Sequence, residues 1–470
     1  VGRGGLRGLA GCLCQPETRF VWAGQAMAPV QVCPVGDNDG FSQSLSAPLP
    51  EALGLRPFRP RCPWLNGDLQ TLRDSLRPVA LPPAEGLRVE IPVPCLGVGT
   101  GMSSGRVRDA VGGSHRRVAG AAEGVAETAS KRASTDALGD AAPDGGASAG
   151  GANGAGGVAA EAASGAMDRL LAFLDQPLVH SANPLGLVVL MHGLGGSSDR
   201  EGLRRMGLTL QRAGFAVLRL NMRGAGPGRT LARGTYAARC NSDLLPALRR
   251  ARELADGLAP GGRPLFGMGI SLGGTKLLNA LVADAHEHAA AGLNRPVLDG
   301  LVCISSPLDL EECSRQIERP RNRVYERWLL KRLLAQTAAD PFGLSPEEQQ
   351  VLNGGGPAGP LRSIRAFDAA ITAPRWGYDS VDAYYGAASP LPRILAIADQ
   401  LTTAEPGAPA HTHLPPALIV HAADDPWVPV SSTERLAASA LAAEQGGPWQ
   451  VLITPKGGHN GFHAACDTPG

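Results

Sequence analysis

Six apolar runs of strand length recur along this chain from residue 185 onward, and stretches with helical spacing separate most of them. "LGLVVLMHG" (185–193) is an unbroken apolar run, as expected for a strand buried on both faces. "FAVLRLN" (215–221), "PLFGMGI" (264–270), "LDGLVCIS" (298–305), "PALIVHA" (416–422) and "WQVLITP" (449–455) follow. Helices are expected over 199–213, over 241–255, where Leu244, Leu248, Ala251 and Leu254 fall on one face, and over 432–443. Such alternation restricts the chain to a mostly parallel sheet with helices on both faces. Upstream, "LRVEIPV" (87–93) alternates like a half-buried strand, and "DRLLAFL" (168–174) is its expected partner.

Between those two strands the sequence changes character. Residues 97–165 are mostly Gly, Ala and Ser with scattered charge, as in "DGGASAGGANGAGG", and are expected to be a disordered insert. The 470 residues therefore overstate the domain count. One domain is expected over 51–470, preceded by a poorly defined segment over 1–50. Lys plus Arg number 44 against 43 Asp plus Glu, so no charge excess points to nucleic acid. The nine cysteines have neither a disulfide framework nor metal-ligand spacing, and no metal or other cofactor is expected. Leu9-Ala10-Gly11-Cys12 has the form of a lipoprotein cleavage site, but Arg3 and Arg7 stand where a long apolar stretch should be. The expectation is a cytoplasmic protein without a signal peptide or membrane span.

"GMGISLGG" (267–274) lies between an expected buried strand and an expected helix. Gly269-Ile270-Ser271-Leu272-Gly273 is G-x-S-x-G, the pattern of a nucleophile elbow. Side chains at the two glycines would collide with neighbouring backbone in so tight a turn. The helix that starts there aims its N–H groups at a developing oxyanion. A serine needs a base, and the order Ser, acid, His is met downstream. "HAADDPWVP" offers Asp424 and Asp425, and "GGHNGFH" offers His459 and His463. Asp425 begins the D-x-x-V-P of an acid loop, and the paired glycines before His459 free it from the last strand. The expected triad is Ser271, Asp425 and His459. Leu272 and Leu194 of "HGLGGSS" would supply the oxyanion-hole N–H groups. Asp309 is the alternative acid. His192 and Arg223 are expected to order loops, and His421 to pack at a strand end. Cys240, Cys303 and Cys313 are expected to be small buried apolar groups.

"HGLGGSS", "LRLNMRGAG", "GISLGG", "HAADDPWVP" and "GGHNGF", in this order, resemble the YheT-like family of α/β-hydrolases. "WLNGDLQTL" (64–72) resembles that family's H-x-Q-T element, with Asp68 where the family usually has His. The resemblance implies an α/β-hydrolase fold and cleavage of carboxylic esters, with acylglycerols or other lipids as substrates for some relatives. An acyltransferase and a non-catalytic ligand-binding module are the alternatives. Residues 307–392 interrupt the alternation and are expected to form a helical lid. Within them "NRVYERWLLKRLLAQ" is expected to turn Val324, Trp328, Leu329, Leu333 and Leu334 toward an acyl pocket. Its basic residues make peripheral contact with an anionic membrane the competing role.

Overall fold

The computed structural model describes residues 58–76, 80–83, 86–96, 167–179, 183–291, 296–356, 359–403, 414–443 and 447–464. The expected N-terminal segment 1–50 and the Gly/Ala-rich insert 97–165 lie outside the described residues.

Eight strands form one sheet: β1 (Leu87–Val93), β2 (Asp168–Asp175), β3 (Leu187–Met191), β4 (Ala216–Leu220), β5 (Leu265–Ile270), β6 (Gly300–Ile304), β7 (Ala417–Ala422) and β8 (Trp449–Thr454). Their order is β1-β2-β4-β3-β5-β6-β7-β8. β1 and β4 both pair antiparallel with β2, and the remaining neighbours are parallel. The fold is therefore the α/β-hydrolase architecture expected from the sequence.

Every residue of β3 and β4 is buried, which explains why β3 is apolar throughout and β4 is apolar apart from Arg219. Alternate side chains of β3 reach opposite layers. Leu187, Val189 and Met191 join the large core, while Leu190 joins Leu203 and Val217 in a smaller one. Helix α2 (Glu201–Arg212) covers the smaller layer with Leu203, Met206 and Leu210. Helices α3 (Asn241–Asp256) and α4 (Leu272–Ala291) cover the other through Leu244, Leu248, Leu277 and Leu281. β1 is an edge, which is why Pro92 is accommodated in it. Arg219 is the one charged residue within β4. Its guanidinium makes a two-pronged bond to Asp175 of β2, at 2.5 and 3.0 Å, so the buried charge is matched.

Between β6 and β7 the chain builds α5 (Leu310–Ile317), α6 (Arg323–Ala338), α7 (Pro346–Leu352), α8 (Ile364–Phe367), α9 (Ala373–Arg375), α10 (Val381–Ala388) and α11 (Leu391–Thr403). Ahead of β1 lies α1 (Gly67–Leu76), and α12 (Ser431–Ala437) precedes β8. The sequence pattern extended α12 to 443. The helix ends sooner, at Ala438, and Ser439 Oγ turns back onto the Leu436 carbonyl at 2.7 Å. α6 also differs from expectation. Leu329, Leu330 and Leu333 are buried, whereas Val324 is 79% and Trp328 46% exposed. At about 100° per residue, Val324 and Trp328 fall nearly opposite the leucines, so the apolar residues divide between two faces. Among the described residues, no helix is long and apolar enough to cross a membrane.

The end of β1 and the start of β2 are direct antiparallel partners, Val93 opposite Asp168, so a short connection can join them. Deleting residues 101–157 is expected to leave soluble yield and Tm within a few degrees of the full chain, because loop length enters closure entropy only logarithmically. Thermal denaturation of the two proteins checks this.

Candidate active site

β5 runs straight into α4 through Ser271, whose backbone lies in the left-handed region at φ 51°. That conformation is unfavourable for a residue with a Cβ and indicates local strain. The flanking glycines are required by contact. A Cβ on Gly273 would stand 2.6 Å from the Met191 carbonyl oxygen and 2.7 Å from that of His192. One on Gly269 would come within 2.6 Å of the Gly273 carbonyl carbon. The Ser271 N–H bonds the Ile304 carbonyl at 2.8 Å, tying the turn to β6.

The loop after β3 closes over this serine. A Cβ on Gly193 would lie 3.1 Å from that of Ser271, so the approach of the two backbones is tight. Gly196 N–H bonds the Gly193 carbonyl at 3.1 Å, and Gly195, at φ 65°, donates its N–H to the Tyr236 hydroxyl at 2.7 Å. Leu194 and Leu272 line the same cavity as Ser271. Among the described residues no acceptor takes the N–H of either leucine. His192 accepts the Met222 N–H at Nε2, 3.1 Å, and its Nδ1 faces the Gly193 carbonyl at 2.8 Å. Both contacts fit one neutral tautomer, and burial drives the His192 pKa down to about 4.

His459 Nε2 lies 2.9 Å from Ser271 Oγ, and His459 Nδ1 lies 2.8 Å from Asp425 Oδ2. The other Asp425 oxygen accepts the N–H groups of Trp427 and Val428 at 2.8 and 3.0 Å. Those bonds leave Oδ2 directed at the imidazole. The Trp427 ring lies over His459 with centroids 4.6 Å apart and planes tilted by 34°. The neighbouring Asp424 does something else: its Oδ1 accepts the Gly458 N–H at 2.9 Å, bracing the loop that carries His459. Asp309 is the N-cap of α5, bonded to the Glu312 N–H at 3.1 Å, and lies apart from this constellation.

The other residues singled out in the sequence take structural positions. His421 contacts the Thr433 hydroxyl at 2.7 Å and the Val428 carbonyl at 3.2 Å. Arg223 binds more than the loop carbonyls expected of it. It bonds the carbonyls of Arg233 and Pro94, and it also pairs with Asp243 and with Asp168. Cys240 and Cys303 are buried; Cys313 is half-buried and borders the cavity. Burial pushes the Cys313 thiol up to about 12, which makes it a poor nucleophile. Among the described residues no group of His, Cys, Asp and Glu side chains is disposed to hold a metal ion.

Two supports of the site escaped the sequence reading. Thr71 Oγ1 accepts the His459 N–H at 2.8 Å while donating to the Gly67 carbonyl at 2.6 Å. Gln70 accepts the His463 N–H at 2.6 Å and donates to the His463 and Trp64 carbonyls. These are the Gln and Thr of the "WLNGDLQTL" element, so that motif was the available signal, although it carried no assigned role. Tyr236 sits in a loop whose sequence, "GTYAARC", has no periodic or motif signal.

The alpha/beta hydrolase family profile matches residues 188–468, more than half of the chain, and the chain belongs to that family. Within it the protein is YheT-like. It is 29% identical over 300 residues to YheT of Escherichia coli K12, a protein named as a candidate esterase, covering 62% of this chain and 74% of that one. It is 26% identical over 278 residues to mouse Phospholipase ABHD3, covering 58% of each. It is 26% identical over 266 residues to medium-chain fatty acid ethyl ester synthase/esterase 2 of Saccharomyces cerevisiae, covering 52% of each. The chain thus spans about three quarters of the bacterial relative and little more than half of the other two. Among solved structures, Est1E from Butyrivibrio proteoclasticus aligns with a TM-score of 0.34 at 17% identity, over 63% of this chain and 87% of that one.

The His459 loop hangs on the Thr71 hydroxyl, so Thr71→Val is expected to loosen the Ser271–His459 contact. The cost of an unpaired buried N–H corresponds to a loss of about tenfold in the reactivity of Ser271 toward a fluorophosphonate. Labelling rates of the folded variant and the parent chain check this.

Proposed function

We propose that the protein is a serine hydrolase that cleaves carboxylic esters through an acyl-enzyme on Ser271. The hydrogen-bonded chain from Ser271 through His459 to Asp425 carries this reading. His459 Nε2 takes the hydroxyl proton as Oγ attacks the ester carbonyl carbon. The oxyanion that forms is received by the N–H groups of Leu194 and Leu272. His459 then gives the proton to the departing alcohol, and the acyl group stays on Oγ. Water repeats the sequence and releases the acid. Asp425 holds the imidazole in the tautomer that presents Nε2 to the serine. No cofactor enters any step.

The substrate side of the reading rests on the cavity. It occupies about 310 Å³ beside Ser271 and is walled largely by apolar and aromatic side chains, among them Leu310, Leu329, Phe367 and Tyr384. That environment suits an acyl chain, and the names of the relatives point to esters and lipids. The residues between β6 and β7 supply much of this wall and act as its lid. An alcohol in place of water would make the same acyl-enzyme an acyltransferase; the yeast relative's name, synthase/esterase, keeps that alternative.

Treating the full chain with a fluorophosphonate is expected to place one adduct on Ser271, read by peptide mapping. An unlabelled serine would leave a ligand-binding module on a hydrolase scaffold. Asp425→Asn is expected to lower turnover of a short p-nitrophenyl ester by about a thousandfold or more, through a misdirected imidazole. Asp424→Asn is expected to cost far less, since the Asp424 carboxylate bonds the Gly458 N–H and not the imidazole. The reverse ranking would refute the assignment.

A second reading concerns the outer face of α6. Val324 and Trp328 are exposed there, and Trp328 also borders the cavity. Arg323, Arg327 and Lys331 are exposed on the same side, and among the described residues none of them forms an ion pair. This combination suits an anionic lipid surface beside the cavity. Flotation with vesicles containing phosphatidylserine is expected to show salt-sensitive binding, weakened by a combined Arg327→Glu and Lys331→Glu change. Absence of binding at low salt would leave α6 as a lid helix alone.

A further inference from the structure

The acyl-transfer steps leave one carboxylate at the cavity unused. Asp368 opens a single π-helical turn, Asp368–Thr372, between α8 and α9. Such turns displace a side chain from its regular helical direction and recur at functional sites. Asp368 borders the same cavity as Ser271 and His459. Its Oδ2 accepts the Tyr385 hydroxyl at 2.9 Å, and the Thr372 side chain stands near it. A carboxylate offers about four acceptor sites, so others remain. Among the described residues no Arg, Lys or His pairs with it.

Burial dominates its titration and pushes the pKa up to about 6, yet by surface accessibility Asp368 is only half-buried. The two observations agree if the open part of the carboxylate faces the cavity. Around it stand aromatic rings rather than counter-charges: Tyr385, then Tyr384, whose hydroxyl oxygen accepts the Ala238 N–H at 2.8 Å. An unpaired carboxylate against an apolar wall is unfavourable unless something polar meets it. A lock for the π-turn would need only the Tyr385 bond and would not need an opening to the cavity.

We propose that Asp368 is a specificity residue, its carboxylate accepting a hydrogen bond from a hydroxyl or amino group carried on the substrate ester. This rests on the cavity being the ester site. The preferred substrates then combine an apolar stretch with a hydrogen-bond donor on the acyl or the alcohol part. A purely aliphatic ester would fill the cavity and leave the remaining acceptor sites of Asp368 unmet, with only the Tyr385 hydroxyl bonded to it. Losing a donor opposite a buried acceptor is the situation in which a site discriminates most strongly.

Two series of esters test this. Methyl hexanoate is compared with methyl 6-hydroxyhexanoate and methyl 6-aminohexanoate, and ethyl butyrate with 2-hydroxyethyl butyrate. Binding is read in the full-length Ser271→Ala protein from the fluorescence of Trp328 and Trp427, both at the cavity, so no turnover is needed. The kcat/KM values are read in the chain with Ser271 intact. A donor-bearing ester is expected to bind at least about tenfold more tightly than its alkyl counterpart in one series. Asp368→Leu is expected to remove that preference. Should the leucine variant fail to fold, Asp368→Asn keeps an acceptor for Tyr385 and is expected to lose the preference for the amino ester. Equal binding throughout both series, a donor preference that Asp368→Leu leaves unchanged, or an amino-ester preference that Asp368→Asn leaves unchanged, overturns the proposal. Donor preference without Ser271 labelling would retain Asp368 and discard the hydrolase reading; labelling without preference would do the reverse.

Discussion

The left-handed backbone at Ser271 is the constraint on which the rest of the site depends. A strand that continued in its own direction would bury the hydroxyl among the helices over the sheet. Turning at φ 51° sets it at the cavity instead and starts α4 at the next residue. The turn is possible only where three backbones meet without side chains, at Gly193, Gly269 and Gly273. The same closeness brings the loop after β3 beside the first N–H of α4. Strain at one residue thus sets the Ser271 hydroxyl at the cavity beside the N–H groups of Leu194 and Leu272.

Around that point several polar contacts hold one imidazole. Asp425 is aimed by the N–H groups of Trp427 and Val428, Asp424 braces Gly458, and Thr71 takes the N–H of His459 itself. Thr71 comes from α1 and the others from the loop after β7, so two distant segments hold the loop after β8. Bonds of this kind act on reactivity through orientation. Asp68, the residue that departs from the family's H-x-Q-T element, points away from this group. It pairs with Arg321 at 3.0 Å and meets the Tyr325 hydroxyl at 3.3 Å, linking α1 to the start of α6. The change therefore falls on the joint between the N-terminal element and the helices inserted after β6.

Those helices supply much of the cavity wall, through α5, α6, α8 and α10, while the loops after β3 and β4 supply more of it beside Ser271. Two polar features lie on either side of that apolar wall. Asp368 looks inward from a π-turn, and the basic residues of α6 look outward around Trp328. One would act on the substrate within the cavity and the other on the surface from which a lipid ester arrives.

The sequence by itself determined the sheet, the elbow and the order of the candidate site residues. Buried parallel strands must be apolar throughout, as "LVVLM" in β3 is, and a tight strand-to-helix turn must spell out its glycines. The choice of Asp425 over Asp424 was also local, because the acid loop repeats a short pattern. Other features depended on residues far apart in the chain. Thr71 bonds His459 across 388 positions, and Arg219 meets Asp175 across 44. No periodicity records such a pairing, since each partner looks like an ordinary polar residue in its own segment. The faces of α6 were undecided for the same reason: periodicity arranges side chains around a helix axis, but what lies against each side is set by packing. There the leucines face the protein and Val324 and Trp328 do not, because the neighbouring elements, and not the helix's own sequence, supply the cover.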